Sequence, residues 1–167
     1  KRAAVMNRRG CDGGEHAACV ALSGQYAGGI GVAADQKRSF VLNQRACNGD
    51  SAMACGNVGF HYEFGVKVKK DLAQSRRLYA RACGLDRSTC LRLGILRELG
   101  HGQRGQKAKQ AFEWSCARPK TGFGALSCAY LNRFYGQSNA VAKDALKGLV
   151  EAMIPRCKQG LGRACGF

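Results

Sequence analysis

The sequence predicts an all-α chain folded as a solenoid of stacked helix pairs, and three observations predict it. Cysteines recur at a fixed period: Cys19 to Cys55 is 36 residues, Cys47 to Cys83 is 36, Cys55 to Cys90 is 35 and Cys128 to Cys165 is 37. A period of that length accommodates two short helices and two turns, the unit of a helical solenoid. After the second cysteine of each unit, small and apolar residues stand at helical spacing and stop at a glycine, as in ACGNVGFHYEFG and CLRLGILRELG. An aspartate-led segment follows, DQKRSFVLNQRAC or DLAQSRRLYARAC, in which the aspartate suits an N-cap and basic residues crowd the later turns. We call the first helix of each unit helix A and the second helix B.

Taken in order, residues 1–11 read as the end of a helix B that has lost its beginning, so the chain is expected to be part of a longer array. Units of about 12–48, 49–84, 85–117 and 118–158 follow, residues 159–167 open another, and the whole of 1–167 forms one repeat domain. In each unit the first cysteine ends helix B and the second lies in the first turn of the next helix A. The period therefore pairs Cys11 with Cys19, Cys47 with Cys55, Cys83 with Cys90, Cys116 with Cys128, and Cys157 with Cys165. Each bridge would staple the turn between consecutive repeats, and closing so short a loop contributes roughly 2 to 3 kcal/mol in the chain-entropy model. Two joints depart from the pattern. Cys116 and Cys128 are 12 apart because ARPKTGFGALS is longer, and Pro155 is expected to kink or shorten the last helix B.

The 10 cysteines are better suited to disulfides than to metal, because the chain has no CxxC and only three histidines, His16, His61 and His101. No metal site and no cofactor are expected. A disulfide framework belongs to an oxidising compartment, so the expected location is the periplasm or beyond, with the mitochondrial intermembrane space as the alternative. No stretch is long and apolar enough to suggest a membrane span. His61 reads as a buried or half-buried hydrogen-bonded histidine, His16 and His101 as turn residues, and Trp114 as core packing. No GxSxG, phosphate-binding loop or HExxH occurs, so an enzyme is not expected.

The chain carries 27 Lys and Arg against 11 Asp and Glu, a formal net charge of +16. That field favours an acidic protein partner, then an anionic envelope surface. Nucleic acid is not expected, because the disulfides place the chain outside the cytosol and no nucleic-acid-binding motif is present.

Ala54, Cys55, Val58, Gly59, Tyr62, Gly65, Lys70, Asp71, Leu78, Tyr79, Ala82 and Cys83 stand in the order of a known pattern. The chain resembles the Sel1-like repeat in the disulfide-bridged form of the Helicobacter cysteine-rich proteins. The resemblance implies a right-handed α/α superhelix whose concave side is lined by helix A, and a role in binding. Exported proteins similar to these include host-interaction factors, envelope assembly factors and periplasmic antidotes to effectors delivered by a neighbour's secretion system. The sharpest implied role is an antidote to an envelope-directed effector such as a phospholipase. The resemblance also carries a β-lactam-binding or β-lactamase-like alternative.

Counted from the second cysteine of each unit, positions +2 and +5 share one helical face and form a column along the array. The column reads Ala21 and Gly24, Asn57 and Phe60, Arg92 and Ile95, Tyr130 and Arg133. Asn57, Phe60, Arg92, Ile95, Tyr130 and Arg133 are the expected partner-binding residues, being rich in the types that anchor interfaces. Positions +3 and +7, including Leu22, Tyr26, Val58, Tyr62, Leu93, Leu131 and Tyr135, read as the packing face.

Overall fold

The computed structural model describes residues 2–100, 106–117 and 122–135 of the 167. The expected Cys157–Cys165 bridge, Pro155, His101 and the unit divisions beyond residue 135 lie outside the described residues. The described chain is helical with no strand: α1 (Arg2–Asp12), α2 (His16–Gly28), α3 (Gln36–Asn48), α4 (Ala52–Phe64), α5 (Leu72–Leu85), α6 (Leu91–Glu98), α7 (Gln106–Cys116) and α8 (Gly122–Tyr135). A single 3-10 turn, Arg87–Thr89, precedes α6. The helices stack in sequence as a right-handed superhelix in which α2, α4, α6 and α8 are helices A and α1, α3, α5 and α7 are helices B.

Capping residues set the ends. The Asp35 carboxylate accepts from the N–H groups of Lys37 and Arg38, both at 3.0 Å, and Asp71 accepts from Gln74 N–H at 2.9 Å. Each satisfies first-turn donors that have no partner inside the helix. At the other end, Gly29 (φ 68°) and Gly65 (φ 69°) close α2 and α4 in the left-handed conformation that glycine adopts without strain. The two A-to-B loops then return by the same hydrogen bond, Asp35 N–H to the Tyr26 carbonyl at 2.8 Å and Asp71 N–H to the Tyr62 carbonyl at 2.9 Å. In the third unit, helix A stops at Glu98 and Gly100 takes the positive φ of 89°.

Disulfides join Cys11 to Cys19, Cys47 to Cys55, Cys83 to Cys90 and Cys116 to Cys128, with Cα atoms 4.5 to 4.8 Å apart. They sit at the B-to-A turns. The second cysteine falls in the first turn of α2 and α4, but Cys90 is the N-cap of α6, and Cys128 lies well inside α8. The longer fourth connection is thus partly absorbed as additional helix ahead of Cys128. His16 also departs from expectation, because it opens α2 instead of sitting in a turn. Arginines at the ends of helices B reach back to the preceding turn: Arg45 to Asp12 at 3.9 Å and Arg81 to Asp50 at 2.8 Å. These pairs are exposed and contribute little.

Packing inside each helix pair follows a compensation rule. Four residues before the first cysteine, helix B carries Asn43, Tyr79 or Phe112; four residues after the second, helix A carries Ser23, Gly59 or Gly94. In the first pair the Ser23 hydroxyl donates to Asn43 Oδ1 at 3.0 Å. In the second and third, an aromatic ring lies against a glycine. A Cβ on Gly59 would come within 2.9 Å of the Tyr79 ring, and one on Gly94 within 2.6 Å of the Phe112 ring. The core is therefore filled by different chemistry at equivalent places. Trp114 is half-buried against the Tyr79, Cys83 and Leu96 cluster, and the Arg87 guanidinium lies 4.5 Å over its ring.

Candidate functional site

The column on helices A is the site the sequence singles out, and the structure treats its members unequally. Ala21 and Gly24 are exposed but offer little side chain. Asn57 is half-buried and donates to Asn43 Oδ1 at 3.1 Å, which ties it into the polar junction of α2, α3 and α4. Ile95 is half-buried and packs against the cluster that contains Leu91 and Phe112. Tyr130 stacks on Phe112 with ring centroids 5.1 Å apart. Arg133 belongs to α8, and its side chain lies outside the described residues.

Phe60 and Arg92 are brought together with a residue outside the +2 and +5 column, Phe64. The Phe60 and Phe64 rings lie 4.6 Å apart, and Phe64 is 52% exposed. The Arg92 guanidinium lies 5.4 Å over the Phe64 ring, a cation–π contact that joins α6 to α4. Phe64 follows Phe60 by one helical turn, so the i, i+4 relation was the signal available for it.

Beneath this patch lies a buried carboxylate. Glu63 is 8% exposed and accepts the Tyr79 hydroxyl at 2.7 Å, while Arg92 donates to its other oxygen at 3.5 Å. Three helices, α4, α5 and α6, thus meet through one charge that is both hydrogen-bonded and paired, as burial requires. Burial, then the hydrogen bond and negative charge of Glu63, push the Tyr79 phenol well above its ordinary value. Arg92 is consequently oriented by Glu63 and presents the apolar face of its guanidinium to Phe64. His61, beside the patch, is 5% exposed, and its Nδ1–H donates to the Val66 carbonyl at 2.8 Å. Its ring meets Phe40 edge-on at 5.1 Å.

Among the described residues, no three His, Cys, Asp or Glu side chains are grouped as a metal ion would need. Among the same residues no helix is long and apolar enough to cross a membrane.

Antiparallel helix pairs stacked at a period of about 36 residues define an α-solenoid repeat protein. The Sel1 repeat matches residues 16–51, 52–86 and 88–115, more than half of the chain, and the chain belongs to that family. It is a Sel1-repeat scaffold. Among solved structures it is similar to a Sel1 repeat protein from Oxalobacter formigenes, at 21% identity and a TM-score of 0.74, covering 89% of this chain and 63% of that one. It is also similar to c5321, a protective antigen present in uropathogenic Escherichia coli strains, at 20% identity and a TM-score of 0.72, covering 89% of this chain and 33% of the antigen. At that identity these two matches speak for the fold alone, and the chain spans less than two-thirds of the length of either. A third likeness is to Helicobacter pylori cysteine rich protein B, at 28% identity and a TM-score of 0.59, covering 78% of this chain and 92% of that one. No curated protein matches the sequence. The disulfides fit an oxidising, extracytoplasmic setting.

Proposed function

We propose that the chain is a non-catalytic protein-binding scaffold of an exported protein, and that its partner docks on the helix A column where α4 meets α6. The observation that supports this is the patch of Phe60, Phe64 and Arg92: two aromatic rings and a guanidinium, held in place from below by Glu63, with Phe64 half exposed. Pre-oriented aromatic and arginine side chains are the anchors that carry most of the binding energy in protein interfaces. Ile95, Tyr130 and Arg133 extend the same column. The net charge of +16 favours a partner with an acidic surface over a neutral one, and an anionic envelope surface ranks second.

The sharpest form of the proposal is a periplasmic antidote that caps an envelope-directed effector such as a phospholipase. The test has two stages. Wild-type chain and a Phe60→Ala, Phe64→Ala variant are first compared in a non-reducing pull-down from bacterial envelope extract, with circular dichroism as the check on folding. One protein retained by the wild type and lost by the folded variant is expected, and equal retention by both sinks the column as the site. Each chain is then co-expressed with a phospholipase effector sent to the periplasm. Protection of membrane phospholipid by the wild type alone is expected, and no protection by either chain rules out the antidote role for that effector.

A further inference from the structure

The first repeat contains an open cavity of about 390 Å3 away from the column, between α1, the α2–α3 loop and the start of α3. Tyr26 forms its floor and is itself 5% exposed. Arg8 donates to the Tyr26 hydroxyl oxygen at 2.6 Å, and Arg38 donates to the same oxygen at 3.3 Å. Both partners are donors only. Among the described residues, the hydroxyl hydrogen of Tyr26 therefore has no acceptor, while its oxygen receives two cationic donors.

The cavity keeps Tyr26, Val32 and Asp35 in common with the next repeat, which has Tyr62, Val68 and Asp71, and departs from it at its other four lining residues. In the second unit the equivalent tyrosine is Tyr62, Gln44 and Gln74 stand where the first unit has Arg8 and Arg38, and Lys69 and Lys70 stand where it has Ala33 and Ala34. Phe40 packs against Tyr62 at 6.0 Å, whereas the residue one period earlier, beside Tyr26, is Ala4. The scaffold has thus kept the tyrosine, removed bulk around it and placed two guanidiniums on its hydroxyl. One carboxylate is present, Asp35. Its oxygens cap α3 and lie 3.3 Å from Arg38 Nε, and among the described residues Arg8 hydrogen-bonds only to Tyr26. Two guanidiniums against one carboxylate leave a single positive charge, which a monoanion balances. Val32, Ala33 and Ala34 supply an apolar wall beside the charged end.

We infer that this cavity binds a small carboxylate with a short apolar body, its oxygens accepting from Arg8, Arg38 and the Tyr26 hydroxyl and its body lying on Val32 and the two alanines. Planar guanidinium forks suit a carboxylate, and a phenol O–H completes the donor set. The Tyr26 phenol is also held below its ordinary value, first by the hydrogen bond from Arg38 and, against the opposing effect of burial, by Arg8. A bound carboxylate reverses that effect by neutralising the cations.

The carboxylate can be a free acid or the C-terminus of a polypeptide, and the probes separate the two. Isovalerate, N-acetyl-Ala-Val with a free C-terminus, N-acetyl-Ala-Val amide and inorganic phosphate are titrated into the intact disulfide-bonded chain, with arginine Nε–H resonances as the readout. Saturable shifts at Arg8 and Arg38 with a Kd near or below about 1 mM are expected for at least one of the two carboxylates and not for the amide. A tighter peptide points to a chain end, and a tighter isovalerate to a free acid. Arg8→Gln and Arg38→Gln, which import the second unit's residues at exposed positions, are expected to weaken binding about tenfold or more each while leaving the circular dichroism unchanged. Equal binding of acid and amide, saturation by phosphate alone, undiminished binding by the two variants, or no saturation by any probe would each overturn the inference.

Discussion

The first and third helix pairs solve one packing problem with opposite chemistry. In α2–α3 the contact four residues from the cysteines is polar: Ser23 donates to Asn43, Asn43 donates to the Ser39 carbonyl at 3.1 Å, and Asn57 from α4 donates back to Asn43. In α6–α7 the same contact is a fully buried Phe112 ring seated on Gly94. The polar version fixes three helices by direction. The apolar one fixes two by volume and adds α8 through the Tyr130 ring stacked on Phe112. A repeat scaffold can evidently exchange the two, provided both partners change together, and this leaves surface positions free to diverge without disturbing the stack.

The largest effect is expected from emptying the apolar version. Phe112→Ala should cost about 3 to 5 kcal/mol, the range for removing a buried aromatic ring. Asn43→Ala should cost about 1 to 3 kcal/mol, because it leaves Asn57 short of an acceptor, whereas the Ser23 hydroxyl keeps the Val20 carbonyl at 2.7 Å. Denaturant unfolding under non-reducing conditions, followed by circular dichroism, ranks the two. The single tryptophan, Trp114 on α7, reports the third pair separately by fluorescence. Asn43→Ala proving the more damaging would reverse the comparison.

Exchange of the two chemistries gives the next effect. Asn43→Phe alone should destabilise by about 1 to 3 kcal/mol through overpacking against Ser23. Adding Ser23→Gly reproduces the third pair's arrangement and should recover at least about 1 kcal/mol, a coupling that a double-mutant cycle isolates. Strict additivity would mean that the Ser23 and Asn43 positions are not matched in the way proposed.

The fold was legible because it is written in period. The cysteine intervals, the aspartate caps at Asp35 and Asp71 and the glycine stops at Gly29 and Gly65 recur at the same offsets, and each imposes a local geometry that needs no distant partner. The four cysteine pairs within the described residues are those the period selects. The candidate site was less legible, because its members are decided by contacts between repeats. Asn57 looked free on its own helix, yet it serves the α2–α3 junction, and Arg92 is committed to Glu63 on the preceding helix A. Phe64 lay outside the chosen offsets and joins Phe60 only once the helix is closed. The Tyr26 cavity is visible in sequence only as a difference between units, since Ala4, Ala33 and Ala34 matter by being smaller than Phe40, Lys69 and Lys70.

Tyrosine titration sharpens the contrast between the first two units. Tyr26 is lowered by Arg38 and Arg8, whereas Tyr79 is raised by burial and Glu63. Tyr135 is raised by burial and its hydrogen bond to Glu98, pushed up to about 12. Unfolded tyrosines lose their protons near pH 10. Folded Tyr79 still holds its proton there, so above that pH the unfolded state binds fewer protons and stability falls. Tyr26 has the opposite sign: between its lowered value and pH 10 the unfolded state binds more protons, and stability rises. Ultraviolet titration of the 5 tyrosines should show one early phase that Tyr26→Phe removes. An early phase that survives Tyr26→Phe would assign it elsewhere.

The smallest effects separate glycines that serve packing from those that do not. Gly24 and Gly56 lie inside α2 and α4, and an added Cβ at either would meet nothing within 4 Å. Replacing each by alanine should raise stability by about 0.5 to 1 kcal/mol, the helix propensity that glycine forgoes. At Gly94 the same propensity gain is opposed by the Phe112 ring, which is fully buried and has nowhere to move. Gly94→Ala should therefore be destabilising, the reverse sign from an identical chemical change. If all three alanines stabilise, the ring is not held against Gly94 and the compensation rule fails in the third unit. If Gly24→Ala and Gly56→Ala stabilise and Gly94→Ala does not, glycine in these helices is retained for two reasons, close packing at one offset and tolerance of an open surface at the others.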